Sequence, residues 1–430
     1  MKRRFFLLFL ALFLFRVCVS AQVAPVKDLK PTVILVSIDG FRYDYLDKYK
    51  PPTLNRLASE GVRAKWMIPS FPTKTFPNHY TIATGLYPAH HGIIENNIYD
   101  FGATFSMSKR EEVQNSRWWL GEPIWVTAEK NGQRAGAFFF PGTETKIEGV
   151  IPSYWNAYDG KIPNDERVDS VLRWLDYPQK FRPTILTLYF NDVDEAGHHF
   201  SPDSDETRRA ILTVDGNIKR LVEGLEARKI DKKVNLIILS DHGMATVDLH
   251  NAVLLDDYFS FDLTERILWT NEIVQIFPKT GKLDEIMEKL KNISHAACWK
   301  KENIPARFHY QDSPRIAPVI CLAEEPWILT SQKRYENLKK DEDFSIIHGE
   351  HGYDNANESM RATFIAHGKA FKKNLLVEPF SNVNVYNLMC DILGLAPAPN
   401  DGDFQIVRGM LKNPKMKTSP SLIKIETKSE

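Results

Sequence analysis

"TVILVSI", residues 32–38, is apolar at all but two positions and is followed at once by Asp39. A strand with one face in water alternates apolar and polar residues, whereas a run this continuous reads as a strand covered on both faces, as in parallel sheets enclosed by helices. Four more runs share the pattern: "AGAFFF" (135–140), "PTILTLYF" (183–190), "VNLIILS" (234–240) and "ATFIAHG" (362–368). Between them lie helical patterns, clearest over 205–229, where Ile211, Val214, Ile218, Leu221, Val222 and Leu225 recur at helical spacing. Strand and helix alternating over this length predict an α/β fold with a mostly parallel sheet flanked by helices on both faces. Residues 260–340 break the alternation. The charged helical stretch "KLDEIMEKLKNI" is flanked there by short strand-like pieces, which predicts a small inserted α+β subdomain.

With 430 residues, 43% of them hydrophobic and 26% charged, the chain can bury a large core and disorder is excluded as its default state. The first 21 residues differ from the rest. Lys2, Arg3 and Arg4 precede the apolar run "FFLLFLALFLF", and small residues end the segment at Ala21, the layout of a signal peptide on an exported (periplasmic or extracellular) protein. An uncleaved anchor is the alternative, disfavoured by the short run and by Arg16. Removing the segment's four basic residues turns a balance of 55 basic and 55 acidic into 51 against 55, which argues against duplex nucleic acid as a partner. Of the three cysteines left, Cys298 with Cys321 is the expected bridge and Cys390 the odd one. A single catalytic domain is expected over 30–410, and the lysine-rich end, 411–430, reads as a solvated or loosely docked tail.

Polar residues punctuate this scaffold at particular places. Asp39 follows the first run, Asp194 follows the third after a short turn, and Asp241 with His242 follows the fourth. Ligands of open parallel sheets bind outside the carboxyl ends of the strands, so these side chains can converge across two hundred residues of sequence. One Asp after a strand is commonly a helix cap or turn residue. Here imidazoles accompany them: His198 four residues after Asp194, His242 beside Asp241, and His348 and His351 in "HGEHGYDN". Carboxylate with imidazole at several strand ends is a ligand set for a divalent metal, and this mixture suits zinc.

A threonine-bearing stretch supplies what such a site lacks. "FPTKTFPNHY", residues 71–80, is too polar for a core strand and too Pro-rich for a helix interior. Pro77 suits the first turn of a helix continuing through "NHYTIATGL", and a threonine just before it would hold its oxygen at a helix N-terminus, where backbone N–H groups favour negative charge. Thr75 fits better than Thr73. A threonine hydroxyl becomes a competent nucleophile once a metal or base lowers its pKa.

"SIDGFR", "PTKTFPNHYTIATGLYPAHHGIIENN", "GEPIWVTA", "VDEAGHH", "SDHGM" and "HGYDN", in this order, resemble the nucleotide pyrophosphatase/phosphodiesterase family of the alkaline phosphatase superfamily. The resemblance implies an alkaline-phosphatase-like fold and two zinc ions bridged by the nucleophile. By it, Asp39, Asp241 and His242 would hold one zinc and Asp194, His198 and His351 the other. Thr75 matches the nucleophile and Asn96 the amide that holds a phosphoryl oxygen, with backbone N–H groups near Thr75 as further donors. Phe76 and Tyr158 match a pair that sandwiches a nucleobase, and Lys74 and Tyr189 complete the expected substrate contacts. Asn97 stands where some relatives carry lysine. The implied activity is hydrolysis of small nucleotide diesters or pyrophosphates to nucleoside monophosphates through a phospho-threonine. Alternatives are a phospholipid or choline phosphodiesterase or a phosphomonoesterase on this fold, and, in another class, an inactive zinc-binding exported protein.

Overall fold

In the computed structural model, which describes residues 23–100, 102–340 and 345–418, the opening run forms strand β1 (Val33–Ile38), inside an eight-stranded sheet. The expected signal segment and residues 419–430 lie outside the described residues. In chain order the other strands are β2 (Val62–Ala64), β3 (Ala135–Phe138), β4 (Tyr154–Asn156), β5 (Ile185–Phe190), β6 (Asn235–Leu239), β7 (Phe364–Gly368) and β8 (Leu375–Val377). Their spatial order is β8-β2-β7-β6-β1-β5-β3-β4. All pairings are parallel except those of β7, which runs antiparallel to both β6 and β2.

The missing alternation in β1 has a direct cause. Val33 and Leu35 enter the core on one face of the sheet while Ile34, Val36 and Ile38 enter the core on the other. Helix α1 (Thr75–Thr84) sends Tyr80 and Ile82 into the first core, and the long helix α3 (Asp205–Ala227) sends Ile211, Val214, Ile218, Leu221, Val222 and Leu225 into the second. Burying one such aliphatic side chain contributes about 1.5–3 kcal/mol, so both layers hold the sheet from either side. Ser204 starts α3 by accepting the Thr207 N–H at 3.1 Å.

The inserted region forms its own four-stranded antiparallel sheet, ordered 264–269, 273–278, 319–323 and 296–300, with the helix Leu283–Leu290. The Cys298–Cys321 disulfide ties two neighbouring strands of it, and Cys390 is free and buried elsewhere. A third hydrophobic cluster fills this part and reaches from Ala245 to Met360, wider than the broken alternation suggests. Residues 411–416, at the start of the expected tail, are docked. Leu411 is buried, and Asp391 Oδ1 accepts the backbone N–H of Lys415 at 2.7 Å and that of Met416. Among the described residues no helix is long and apolar enough to cross a membrane.

Candidate active site

Because β1, β5 and β6 run parallel, their carboxyl ends share one edge of the sheet, and the segments leaving that edge carry Asp39, Asp241 and His242, with Asp194 in helix α2 (Asp192–Phe200). Gly40 makes the approach possible. Its φ is +65°, and a Cβ there would sit 2.9 Å from the Asp194 Cα. Asp39, Asp241 and His242 each offer a ligand atom within 4.8 Å of the others, and so do Asp194, His242 and His351. His198 Nε2 stands 3.5 Å from Asp194 Oδ2, at the edge of the second group. His348 is buried away from both, with Nε2 3.4 Å from Glu350 Oε1.

The three imidazoles share one hydrogen-bonding pattern. His198 Nδ1 lies 2.8 Å from the Gly349 carbonyl, His242 Nδ1 2.9 Å from that of Gly243, and His351 Nδ1 2.8 Å from that of Thr73. A carbonyl can only accept, so each Nδ1 carries the proton, and in the neutral ring Nε2 keeps its lone pair for the site. The carboxylates match this. Asp39 Oδ1, Asp194 Oδ1 and Asp241 Oδ2 are buried without a hydrogen-bond partner among the described residues. Buried ionised oxygens are costly unless a cation or donor meets them, so this donor set fits divalent cations. Burial, then repulsion from Asp241 and Asp194, push the Asp39 carboxyl well above the usual range. Burial lowers the basicity of His242, but Asp241 and Asp194 outweigh it and hold the imidazole above its ordinary value. His351 lies well below its own, through burial and the nearby His242.

Thr75 is the first residue of α1, and its Oγ1 lies 3.3 Å from His242 Nε2. That nitrogen is itself 3.0 Å from Asp241 Oδ2 and 3.4 Å from Asp39 Oδ1. Thr73 is placed differently: its hydroxyl donates to the Tyr353 carbonyl at 2.9 Å and accepts the Gly352 N–H at 3.0 Å, which pins a loop. Asn96 Oδ1 accepts the Phe76 N–H at 3.0 Å. This occupies the Phe76 N–H, one of the backbone donors near Thr75 expected to face a phosphoryl group.

Lys74 requires a correction. Expected at the substrate, its ammonium instead turns inward to Glu272 and to the His351 carbonyl at 2.5 Å. Burial works against the charged ammonium, yet Glu272, Glu95 and Glu350 together raise the Lys74 pKa. Gly352, at φ +127°, lets the chain cross this lysine, since a Cβ there would lie 2.4 Å from Lys74 Cε. Glu272 and its neighbours Thr270 and Asn271 form the turn between the first two inserted strands, and Asn271 Nδ2 donates to Glu350 Oε1 at 2.8 Å. No local pattern announces them, because Glu272 stands 198 positions from Lys74.

Beside Thr75 opens a cleft of about 110 Å³ lined by Phe76, Phe139, Tyr158 and Tyr189, with Met107 and Arg110 also on its wall. Tyr189 has a second contact, donating its hydroxyl to Asp39 Oδ2 at 2.6 Å. Phe76 packs against Phe105 and Trp119, and Tyr158 is 42% exposed, free to meet a ligand. Phe139 was hidden in "AGAFFF", read as one strand through residue 140. The strand ends at Phe138, and Phe139 turns at φ +62° to set its ring 5.0 Å from that of Tyr158. Wider surface clefts of about 400–560 Å³ elsewhere contain none of these groups.

A family model described as type I phosphodiesterase / nucleotide pyrophosphatase matches residues 33–354. The chain belongs to this family. It is 40% identical over 416 residues to a venom phosphodiesterase of Crotalus durissus collilineatus, covering 94% of this chain and 49% of that protein. It is 39% identical over 397 residues to ectonucleotide pyrophosphatase/phosphodiesterase family member 3 of Bos taurus, covering 89% and 44%. The chain thus spans about half the length of these curated relatives. Among solved structures, murine ectonucleotide pyrophosphatase/phosphodiesterase 5 superposes with a TM-score of 0.82 at 34% identity, covering 89% of this chain and all of that one. An inactive form of that murine protein, with one threonine changed to alanine, was solved in complex with AMP at a TM-score of 0.82 and 33% identity, with the same coverage.

Proposed function

We propose that this chain is an exported two-zinc phosphodiesterase/pyrophosphatase that cleaves small nucleotide diesters and pyrophosphates to nucleoside monophosphates. The observation that carries the reading is the Thr75 hydroxyl at a helix N-terminus, 3.3 Å from His242 Nε2, beside buried carboxylate oxygens with no hydrogen-bond partner among the described residues. Asp39, Asp241 and His242 would hold one cation and Asp194, His198 and His351 the other. Bound there, the cations would supply the positive charge that lowers the pKa of the hydroxyl and offsets charge on the phosphoryl oxygens.

Thr75 Oγ1 then forms a bond to phosphorus while the bond to the leaving oxygen breaks, and that oxygen departs with the electron pair. Asn96 Nδ2 donates to a non-bridging oxygen. Water next cleaves the phospho-threonine, returning a proton to Oγ1 and releasing the monophosphate. Tyr189 keeps Asp39 oriented by its 2.6 Å hydrogen bond, and Phe76 and Tyr158 grip the base. The murine relative solved with AMP supports both a threonine nucleophile and a nucleotide in the cleft. A nitrophenyl ester of thymidine monophosphate, a phosphate monoester and a choline phosphodiester, assayed side by side, test the reading. The nucleotide diester should be cleaved far faster, and preference for either rival would overturn it.

A further inference from the structure

The opposite edge of the sheet has its own chemistry. At the amino ends of β1 and β6 and the carboxyl end of antiparallel β7, roughly 20 Å from the site across strands of five or six residues, two clefts of about 560 and 400 Å³ adjoin. Lys369 and Lys412 belong to both, and Lys412 Nζ donates to the Lys369 carbonyl at 3.2 Å. Lys233 and Lys415 extend the wall on one side, Lys372 and Lys373 on the other. Altogether nine basic and five acidic side chains line the pair of clefts, in a chain whose lysines and arginines equal its acids at 55 each.

Among the described residues, Arg56 alone of the nine is within ion-pairing distance of a carboxylate, 3.6 Å from Glu60. The acids are partly committed elsewhere. Glu60 also faces His367 at 3.7 Å, and Asp391 accepts two backbone N–H groups of the docked tail segment. Clustered like charges repel one another and lower stability, so the arrangement is relieved by an anion carrying several charges along its length.

We infer that the paired clefts bind a linear sulfated polysaccharide. A thin chain fits adjoining concave grooves with cations along both and at their junction. Neither cleft contains Phe, Tyr or Trp for stacking on bases, which disfavours single-stranded nucleic acid. Among the described residues, none of the large exposed apolar side chains lies in them, which disfavours a membrane surface. This binding is independent of the proposed reaction.

A heparin octasaccharide, titrated into the full chain by calorimetry at low and physiological salt, tests it. Wild type should bind, with affinity falling steeply as salt rises. A K369Q/K372Q/K373Q/K412Q variant should lose tenfold or more, while K282Q/K300Q, which removes lysines already paired with Glu285 and Asp284, should bind as wild type does. Nucleotide diester cleavage should be unaltered in both variants. Unchanged affinity in the quadruple variant, equal binding of a desulfated octasaccharide, or tighter binding to phosphatidylserine vesicles would each overturn the inference.

Discussion

Two buried acidic clusters meet at the segment 350–351, and their difference explains which one can do chemistry. In one, Glu95, Glu272 and Glu350 surround the Lys74 ammonium, so the countercharge comes from the chain itself. Glu350 is held down to about 2, against burial, by His348, His198 and Lys74, while burial leaves Glu272 well above its ordinary value despite Lys74. In the other, Asp39, Asp194 and Asp241 have imidazoles beside them but, among the described residues, no lysine or arginine in ion-pairing reach, and three of their oxygens accept no hydrogen bond there. Buried acid alone therefore does not mark a site. It becomes one where the fold withholds the cation and leaves lone pairs converging.

The most severe test of this contrast is Thr75→Ala. It should reduce nucleotide diester turnover to background while metal content stays near wild type, because the hydroxyl is lost and the six proposed ligands remain. Thr75→Ser should keep part of the rate. High activity in Thr75→Ala would remove the hydroxyl from the reaction.

Next in size is the closed cluster. Glu272→Ala leaves a buried ammonium facing fewer charges and should cost about 3–5 kcal/mol of unfolding free energy. Lys74→Met combined with Glu272→Leu removes both charges and should cost much less than Glu272→Ala alone. Chemical denaturation of the variants reads both, and a double variant as unstable as the single one would show that packing, not charge neutralisation, holds the insert's turn in place.

These two clusters were not equally legible. Asp39 and the Asp241–His242 pair stand directly after apolar runs and Asp194 a short turn after one, so the topology of a parallel sheet was enough to bring these to one edge, while His198 and His351 were marked by their local segments "DVDEAGHH" and "HGEHGYDN". Lys74 also sits in a recognisable stretch, but its partner Glu272 comes from the inserted hairpin, and no periodicity reports which distant turn will reach under a site. Strand direction was likewise unreadable for β7, because a run buried on both faces is apolar whichever way it points. The turn at Phe139 stayed hidden for a related reason: three phenylalanines in a row give no sign of where a strand ends.

The smallest predicted effect lies in the cleft next to the open cluster. Phe76→Ala and Tyr158→Ala should each lower kcat/KM for a nucleotide diester by about tenfold, since stacking on a base contributes roughly 1–3 kcal/mol. A small diester without a base should lose little. Equal losses on both substrates would assign the two rings to supporting the site rather than gripping the base.

Metal content tests the central contrast most directly. Elemental analysis of the purified chain, paired with turnover before and after exhaustive chelation, should find about two zinc ions per chain in wild type and fewer in Asp241→Asn, with the content unaffected by Tyr158→Ala. Chelation should abolish turnover, and zinc should restore it better than magnesium, because His198, His242 and His351 suit a borderline ion over a hard one. Full turnover by metal-free protein would contradict the account.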